Sequence, residues 1–212
     1  MIAIVDYGMG NLRSVEKAIA LAGVATVVTS DPAKILGARG VVLPGVGAFG
    51  ACMENLESRR LAATMREAVS SGKPFLGICL GLQLLFEESE EFGPVPGLGI
   101  LPGRVVRFGG RELDGLKIPQ MGWNRLRIHR PVAELGGIDD GAYVYFVHSY
   151  YVVPADPALI AASTEYGVEF AAAIAWNNVF ACQFHPEKSQ AVGLRILENF
   201  VARVRASATP CS

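Results

Sequence analysis

The chain has 212 residues, with 19 Lys and Arg against 20 Asp and Glu for a formal charge of −1. That length suits one substantial α/β core over residues 1–212 and is short for two. The balanced charge, with no basic run interleaved with aromatics, argues against a polynucleotide partner.

The start, "MIAIVDYG", lacks the basic stretch of a signal peptide, and no apolar run approaches the roughly 20 residues of a membrane span. A cytoplasmic protein is expected. Four cysteines (Cys52, Cys79, Cys182 and Cys211) do not make a disulfide framework, and each is expected as a free thiol. All but Cys79 read as inert packing or surface.

In chain order, "IAIVD" (2–6), "LRSVEKAIALA" (12–22), "VATVV" (24–28) and "GVVLPG" (40–45) alternate strand with helix, the pattern of βαβ units around a parallel sheet. A helix is predicted over 59–71, a buried strand over "PFLGIC", and a helix over "LGLQLLFEES". Glycine and proline crowd 93–103, which reads as a loop within the domain or around its edge. Thereafter "RVVRF", "NRLRIH", "AYVYFVHSYYVV" and "EFAAAIAWNNVFACQFHPE" read as strands, the last a hairpin turning at Asn177-Asn178 through a type I′ turn. A closing helix, 188–205, places Leu194, Leu197, Val201 and Val204 on one face.

Cys79 falls at a strand-to-helix junction with Gly77 and Gly81 two residues to either side. This is the form of a nucleophile elbow, in which a tight turn strains the nucleophile and its neighbours must be nearly free of side chain. A helix N-terminus directly after the thiol offers unpaired N–H groups that favour a thiolate and can hold an oxyanion. The alternative is a small hydrophobe filling a glycine-rich packing corner.

A thiol nucleophile needs a base, and the chain has His129, His148 and His185. His129 sits among arginines in "RIHRP", which suits a solvated surface. His148, in "YFVHSYYV", suits a hydrogen-bonded structural histidine on a strand face. His185, in "QFHPEK", is held extended by Pro186, so that Glu187 at i+2 faces the same side and can fix its tautomer. A Cys79–His185–Glu187 triad follows; an exposed ion pair at a loop is the competing account.

"PGVGAFG" (44–50) contains G-x-G-x-x-G, but no acidic residue closes a strand about 20 residues on, so a dinucleotide site is not expected. Beside the elbow, the loop can instead offer a second oxyanion donor, for which Gly47 is the candidate.

With Cys79, "PGVG" and "FHPE" in place, the sequence resembles the class I (triad) glutamine amidotransferases. Through "IVDYGMGNLRSVEKA", "GICLGLQLLFEES", "MGWN", "YFVHSYY" and "CQFHPEKS" it resembles, more narrowly, the glutaminase subunits of imidazole glycerol phosphate synthases. The resemblance implies a flavodoxin-like three-layer α/β sandwich, mostly parallel, with antiparallel strands added in the C-terminal half. It implies hydrolysis of glutamine through a γ-glutamyl thioester at Cys79, with the N–H groups of Leu80 and Gly47 as oxyanion hole and Gln83, Ser149 and Tyr150 holding substrate. It implies no cofactor and no metal. It implies a heterodimer with a (β/α)₈-barrel cyclase subunit that takes the ammonia, makes imidazole glycerol phosphate and aminoimidazole carboxamide ribonucleotide for histidine biosynthesis, and faces Asn11, Met121, Trp123, Asn124, Tyr145 and Lys188. The rival readings are the glutaminase of another amidotransferase, such as the one feeding pyridoxal phosphate synthesis, and a non-catalytic module of the same fold.

Overall fold

The computed structural model describes residues 1–110 and 115–207, so Cys211 lies outside the described residues. The first half comprises β1 (Ile2–Val5), α1 (Leu12–Leu21), β2 (Thr26–Thr29), α2 (Pro32–Gly37), β3 (Gly40–Gly45), α3 (Phe49–Ser58), α4 (Leu61–Ser70), β4 (Phe75–Cys79) and α5 (Leu80–Gln83). Strands dominate thereafter: β5 (Phe86–Ser89), β6 (Val95–Pro96), β7 (Leu101–Arg107), β8 (Gln120–Arg125), β9 (Arg127–Ile128), β10 (Tyr143–His148), β11 (Tyr150–Pro154), β12 (Ile160–Tyr166), β13 (Val168–Trp176) and β14 (Val179–Cys182). The long helix α6 (Gln190–Ala206) closes the described chain.

Among the described residues the main sheet has eight strands in the order β2-β1-β3-β4-β14-β13-β12-β9. From β2 to β14 all pairings are parallel, and from β14 onward they are antiparallel. With helices on both faces, this is the three-layer sandwich, parallel with antiparallel strands added in the C-terminal half, that the sequence suggests. A four-stranded sheet, β11-β7-β5-β6, and the β10–β8 ribbon stand beside it.

The strand sequences explain the layers. Side chains alternate across a strand, and Ala3, Val5, Val41, Leu43, Phe75, Val179 and Ala181 enter one core with α2, α3 and α4. Ile2, Ile4, Val42, Leu76, Ile78, Phe180 and Cys182 enter the other with α1 and α6. Both faces are covered, which is why these strands are apolar throughout rather than alternating with polar residues.

Three local expectations are corrected. The helix expected over 80–89 is one turn, α5, after which Phe86–Ser89 is strand. Leu82, Leu84, Leu85 and Phe86 are all buried, and a continuous helix would bury only one stripe of them. Pairing of β5 with β7 buries Phe86 and Ser89 and turns Glu87 and Glu88 outward. The helix expected over 59–71 is α4, and a separate helix, α3, precedes it across Arg60 in the left-handed region (φ 58°). At the β13–β14 hairpin only Asn177 has positive φ (48°), the requirement of a type II′ rather than a type I′ turn.

The parallel strands bring the sites together. Gly45 at the end of β3 pairs in register with Cys79 at the end of β4, so the glycine loop and the elbow share one sheet edge. That junction needs a bare backbone: a Cβ on Gly81 would lie 1.9 Å from the Leu43 carbonyl oxygen. Gly81→Ala is therefore expected to lower unfolding stability by about 3 kcal/mol or more. Gly37→Ala, with nothing within 4 Å of the new carbon, should leave it unchanged or slightly raised. Urea midpoints of the two variants check the contrast.

Candidate active site

Cys79 adopts φ 54° and ψ −110°, a conformation that a non-glycine residue holds only under strain. A Cβ on Gly77 would lie 2.9 Å from the Gly81 carbonyl oxygen, so the flanking glycines are required sterically, as a nucleophile elbow demands. Leu80 opens α5, and its N–H has no acceptor within the helix. Because α5 has only four residues, it supplies free N–H groups but little macrodipole. Cys52 and Cys182 are buried as expected of inert thiols, burial pushing Cys52 up to about 11 and raising Cys182 well above its ordinary value.

His185 and Cys79 line one cavity of about 290 Å³ with Val46, Gly47, Leu80, Gln83, Ser149 and Tyr150. His185 Nδ1 lies 2.8 Å from Glu187 Oε1, with both side chains buried. The contact is the expected one, but its geometry is not an extended i, i+2 pair. Residues Pro186–Lys188 form a single 3-10 turn, closed by the Lys188 N–H donating to the His185 carbonyl at 3.0 Å. Burial disfavours the imidazolium, but hydrogen bonding and charge interactions with Cys79 and Glu187 outweigh it and raise the His185 pKa from 6.5 to about 10. Among the described residues Nε2 meets no acceptor in good hydrogen-bond geometry, so its contact with Cys79 is a loose one.

Gln83 is buried, its Nε2 donating to the Tyr150 carbonyl (2.9 Å) and to Gln183 Oε1 (3.0 Å). With both N–H groups committed, what Gln83 can offer a ligand is an acceptor. His148 is also buried, with Nδ1 2.8 Å from the same Tyr150 carbonyl. The structural role read for it holds in that contact, yet it also lines the cavity, against Phe108, Phe146 and Phe170. His129 is remote from the site and bonds Ser163 Oγ at 2.7 Å.

Beneath the glycine loop, the Tyr7 hydroxyl donates to the Pro44 carbonyl at 2.8 Å and the Cys52 thiol reaches the Val46 carbonyl at 3.6 Å. A trans peptide points its N–H opposite its carbonyl, so the Gly47 N–H is turned away from Cys52. Glu91 also lines the cavity, its Oε2 accepting from the Phe49 N–H at 2.6 Å. Sequence reasoning missed Glu91. It sits in an acidic run, "EESEE", in which only the turn after β5 singles it out.

A cysteine elbow, a buried His–Glu pair and a glycine loop around one cavity are an arrangement suited to nucleophilic catalysis. The glutamine amidotransferase class-I family model matches residues 3–204. The chain belongs to the class I glutamine amidotransferase family. It is 57% identical over 203 residues to the imidazole glycerol phosphate synthase subunit HisH of Syntrophotalea carbinolica, covering 94% of this chain and 98% of that one. It is 55% identical over 205 residues to the HisH subunit of Geobacter sulfurreducens, covering 94% and 97%. A crystal structure described as a glutamine amidotransferase superimposes with a TM-score of 0.73 at 18% identity, covering 97% of this chain and all of that one, which shows the shared fold.

In this amidotransferase, the residues expected to face a partner fall into two groups. Met121 and Trp123 on β8 share a face with Tyr143 and Tyr145 on β10, through the register Trp123↔Tyr145 and Met121↔Val147. Met121 is 65% and Trp123 45% exposed, Trp123 packs edge-on to Tyr145, and Lys188 Nζ lies 5.8 Å from the Tyr145 ring centre. Asn124 points to the opposite face and donates to the Glu165 carbonyl at 2.7 Å, so it is committed within the chain. Asn11 precedes α1, exposed, with no side-chain capping bond. Among the described residues no helix is long and apolar enough to cross a membrane.

The two cavity histidines have opposite pH signatures. Burial lowers His148 from 6.5 to about 4, with His185 adding to the depression, while the Tyr150 carbonyl works against it. The folded state thus binds fewer protons at this site than the unfolded one. Its contribution is present above pH 6.5 and is lost as the pH falls towards 4, a change of about 3 kcal/mol. His185, raised, contributes below pH 6.5 and loses that contribution as the pH rises towards 10. Urea unfolding of the wild type at pH 7 and pH 4.5 is expected to show the acid loss, and His148→Phe should reduce it.

Proposed function

We propose that this chain is the glutaminase subunit of an imidazole glycerol phosphate synthase, releasing ammonia from glutamine for use on a separate cyclase subunit. The observation that carries the chemistry is the buried 2.8 Å His185–Glu187 pair sharing one cavity with the strained Cys79. The family supports glutamine as substrate, and the HisH relatives support the synthase.

In this reading the Cys79 thiolate attacks the γ-carboxamide carbon of glutamine, its proton having passed to His185 Nε2. The tetrahedral oxyanion accepts from the Leu80 and Gly47 N–H groups. Collapse breaks the C–N bond as His185 returns the proton to the leaving ammonia, and a γ-glutamyl thioester remains. Water then attacks the thioester, giving its proton to His185, and the C–S bond breaks to release glutamate and the thiolate. Glu187 holds His185 with Nδ1 protonated and stabilises the imidazolium. At the other end of the cavity, Ser149, Tyr150 and the Gln83 acceptor meet the amino-acid portion of the substrate, and the Glu91 carboxylate is the natural partner of its α-ammonium group.

Ammonia is largely protonated in neutral water, so it is useful only if it is delivered while still neutral. Lys188 lies in the cavity wall and also beside Tyr145, joining the site to the exposed Met121–Trp123–Tyr145 face. We place the cyclase barrel on that face, forming a heterodimer in the cytoplasm, with Asn11 at its margin.

Cys79→Ala should abolish glutamine-dependent synthesis by the complex and spare synthesis from added ammonium salt, because the nucleophile serves only ammonia release. Equal loss of both activities would sink the assignment. Glu187→Gln should slow glutamine turnover less than His185→Ala does, since an orienting group contributes less than the proton carrier. Steady-state kinetics of the two variants in the complex read the order directly.

A further inference from the structure

Gln183 is fully buried one residue beyond β14, where a polar amide is costly unless both its ends are satisfied. Its two ends are not equivalent. The Tyr150 carbonyl can only accept, so Gln83 must turn Nε2 towards it, and the remaining Gln83 N–H then meets an oxygen, Gln183 Oε1, at 3.0 Å. That fixes the Gln183 amide: its Nε2 faces the other way and lies 3.7 Å from Cys79 Sγ. A flipped amide would set two NH₂ groups against each other. The His148 ring ties down the same Tyr150 carbonyl from a further side, at 2.8 Å. From Gln83 through Gln183 to Cys79 the donors all point towards the sulfur, and the Tyr150 carbonyl, held by both Gln83 and His148, anchors the far end.

We propose that Gln183 is a catalytic residue that donates an N–H to the Cys79 sulfur and stabilises it whenever it is a thiolate. The inference rests on Cys79 being the nucleophile. A hydrogen bond to an anionic acceptor is about twice as strong as one between neutral groups, and an amide donor does not titrate. His185 cannot fill this place continuously, because it must leave the sulfur to protonate ammonia and later to take a proton from water. The Gln183 donor serves at two moments. It holds the thiolate before attack, and it stabilises the sulfur as the electron pair returns to it when the thioester C–S bond breaks. A methionine of similar length would fill the same space but would orphan the Gln83 N–H, so the amide serves Gln83 through Oε1 and offers Nε2 to the sulfur.

Two variants in the complex with the cyclase subunit separate this role from packing. Gln183→Glu keeps the length and an acceptor for Gln83 but presents an acceptor to sulfur; Gln183→Met removes both bonds. Both should alkylate Cys79 with iodoacetamide at least about tenfold more slowly than the wild type at the same pH. Glutamine-dependent kcat should fall ten- to a hundredfold. KM should hold within about threefold in the Glu variant, whose Gln83 contact survives, and synthesis from ammonium salt should be unchanged. Alkylation at the wild-type rate in either variant that retains ammonium-dependent synthesis overturns the proposal. Should neither variant fold, the Gln183 side-chain amide proton resonance of the ¹⁵N-labelled chain decides: it should shift in Cys79→Ala, and an unmoved resonance overturns the donor contact. If wild-type Cys79 is not alkylated at all, or Cys79→Ala keeps its glutamine activity, the function proposed above fails instead.

Discussion

The approach of α5 to the end of β3 is the constraint on which the site depends. At Gly81 the helix backbone lies so close to the Leu43 carbonyl that no Cβ fits, and at Gly45 a Cβ would lie 2.8 Å from the Gly81 nitrogen. This closeness forces the chain to reverse at Cys79, which takes the strained φ and ψ that no other residue of the turn absorbs. The strain is local and the support is not: β4 is held between β3 and β14, parallel on both sides, with a core on each face. One strained residue is affordable because the surrounding sheet leaves it no alternative.

From that constraint the distribution of labour among the strands follows. Cys79 and the glycine loop proposed to face the oxyanion come from adjacent parallel strands, whose C-terminal ends lie at one edge. His185 and Glu187, the proposed base and its orienter, come from just beyond β14, the neighbour on the other side. Of the groups proposed to grip the amino acid, Ser149 and Tyr150 come from the junction of β10 with β11 and Glu91 from the turn after β5, outside the parallel sheet, while Gln83 comes from α5. The proposed attack geometry is thus built on the rigid part of the fold, and most of the proposed recognition on the strands and loops added to it.

Much of this was legible because the chemistry and the backbone both left marks at fixed spacing. Glycines two residues to either side of a thiol report a turn too tight for side chains, and His185 with Glu187 reports an orienting pair even though the chain joins them by a 3-10 turn rather than by extended backbone. The helix α3 was readable in principle, since Phe49, Cys52, Met53 and Leu56 recur at i, i+3, i+4 and i+7, but the glycines around them draw attention to the loop instead. The change from α5 to β5 was not readable. "LGLQLLFEES" has good helix formers throughout, and only the pairing of β5 with β7 on one side and with β6 on the other, where a Cβ on Gly97 would clash with the Phe86 carbonyl, overrides them. Glu91 and Gln183 were hidden for a related reason: their meaning lies in what stands opposite them, 42 residues away for the Glu91–Phe49 bond and 104 for the Gln183–Cys79 bond.

The same long-range contacts tie the exposed ribbon to the base. The His185 N–H donates to the Tyr145 carbonyl at 2.9 Å, the Tyr145 N–H donates to Ser189 Oγ at 3.0 Å, and the Ser189 hydroxyl donates back to the His185 carbonyl at 2.7 Å. Tyr145 carries its ring on the outer face of β10, while Val144, Phe146 and His148 on the inner face are buried in the core and at the cavity wall. A strand with one face in solvent and the other against the site has its pleat fixed by both. The outward ring of Tyr145 and the backbone of His185 are therefore parts of one hydrogen-bonded unit. A partner seated on that ring would bear directly on the position of the base, with no intervening element to relay or absorb the displacement.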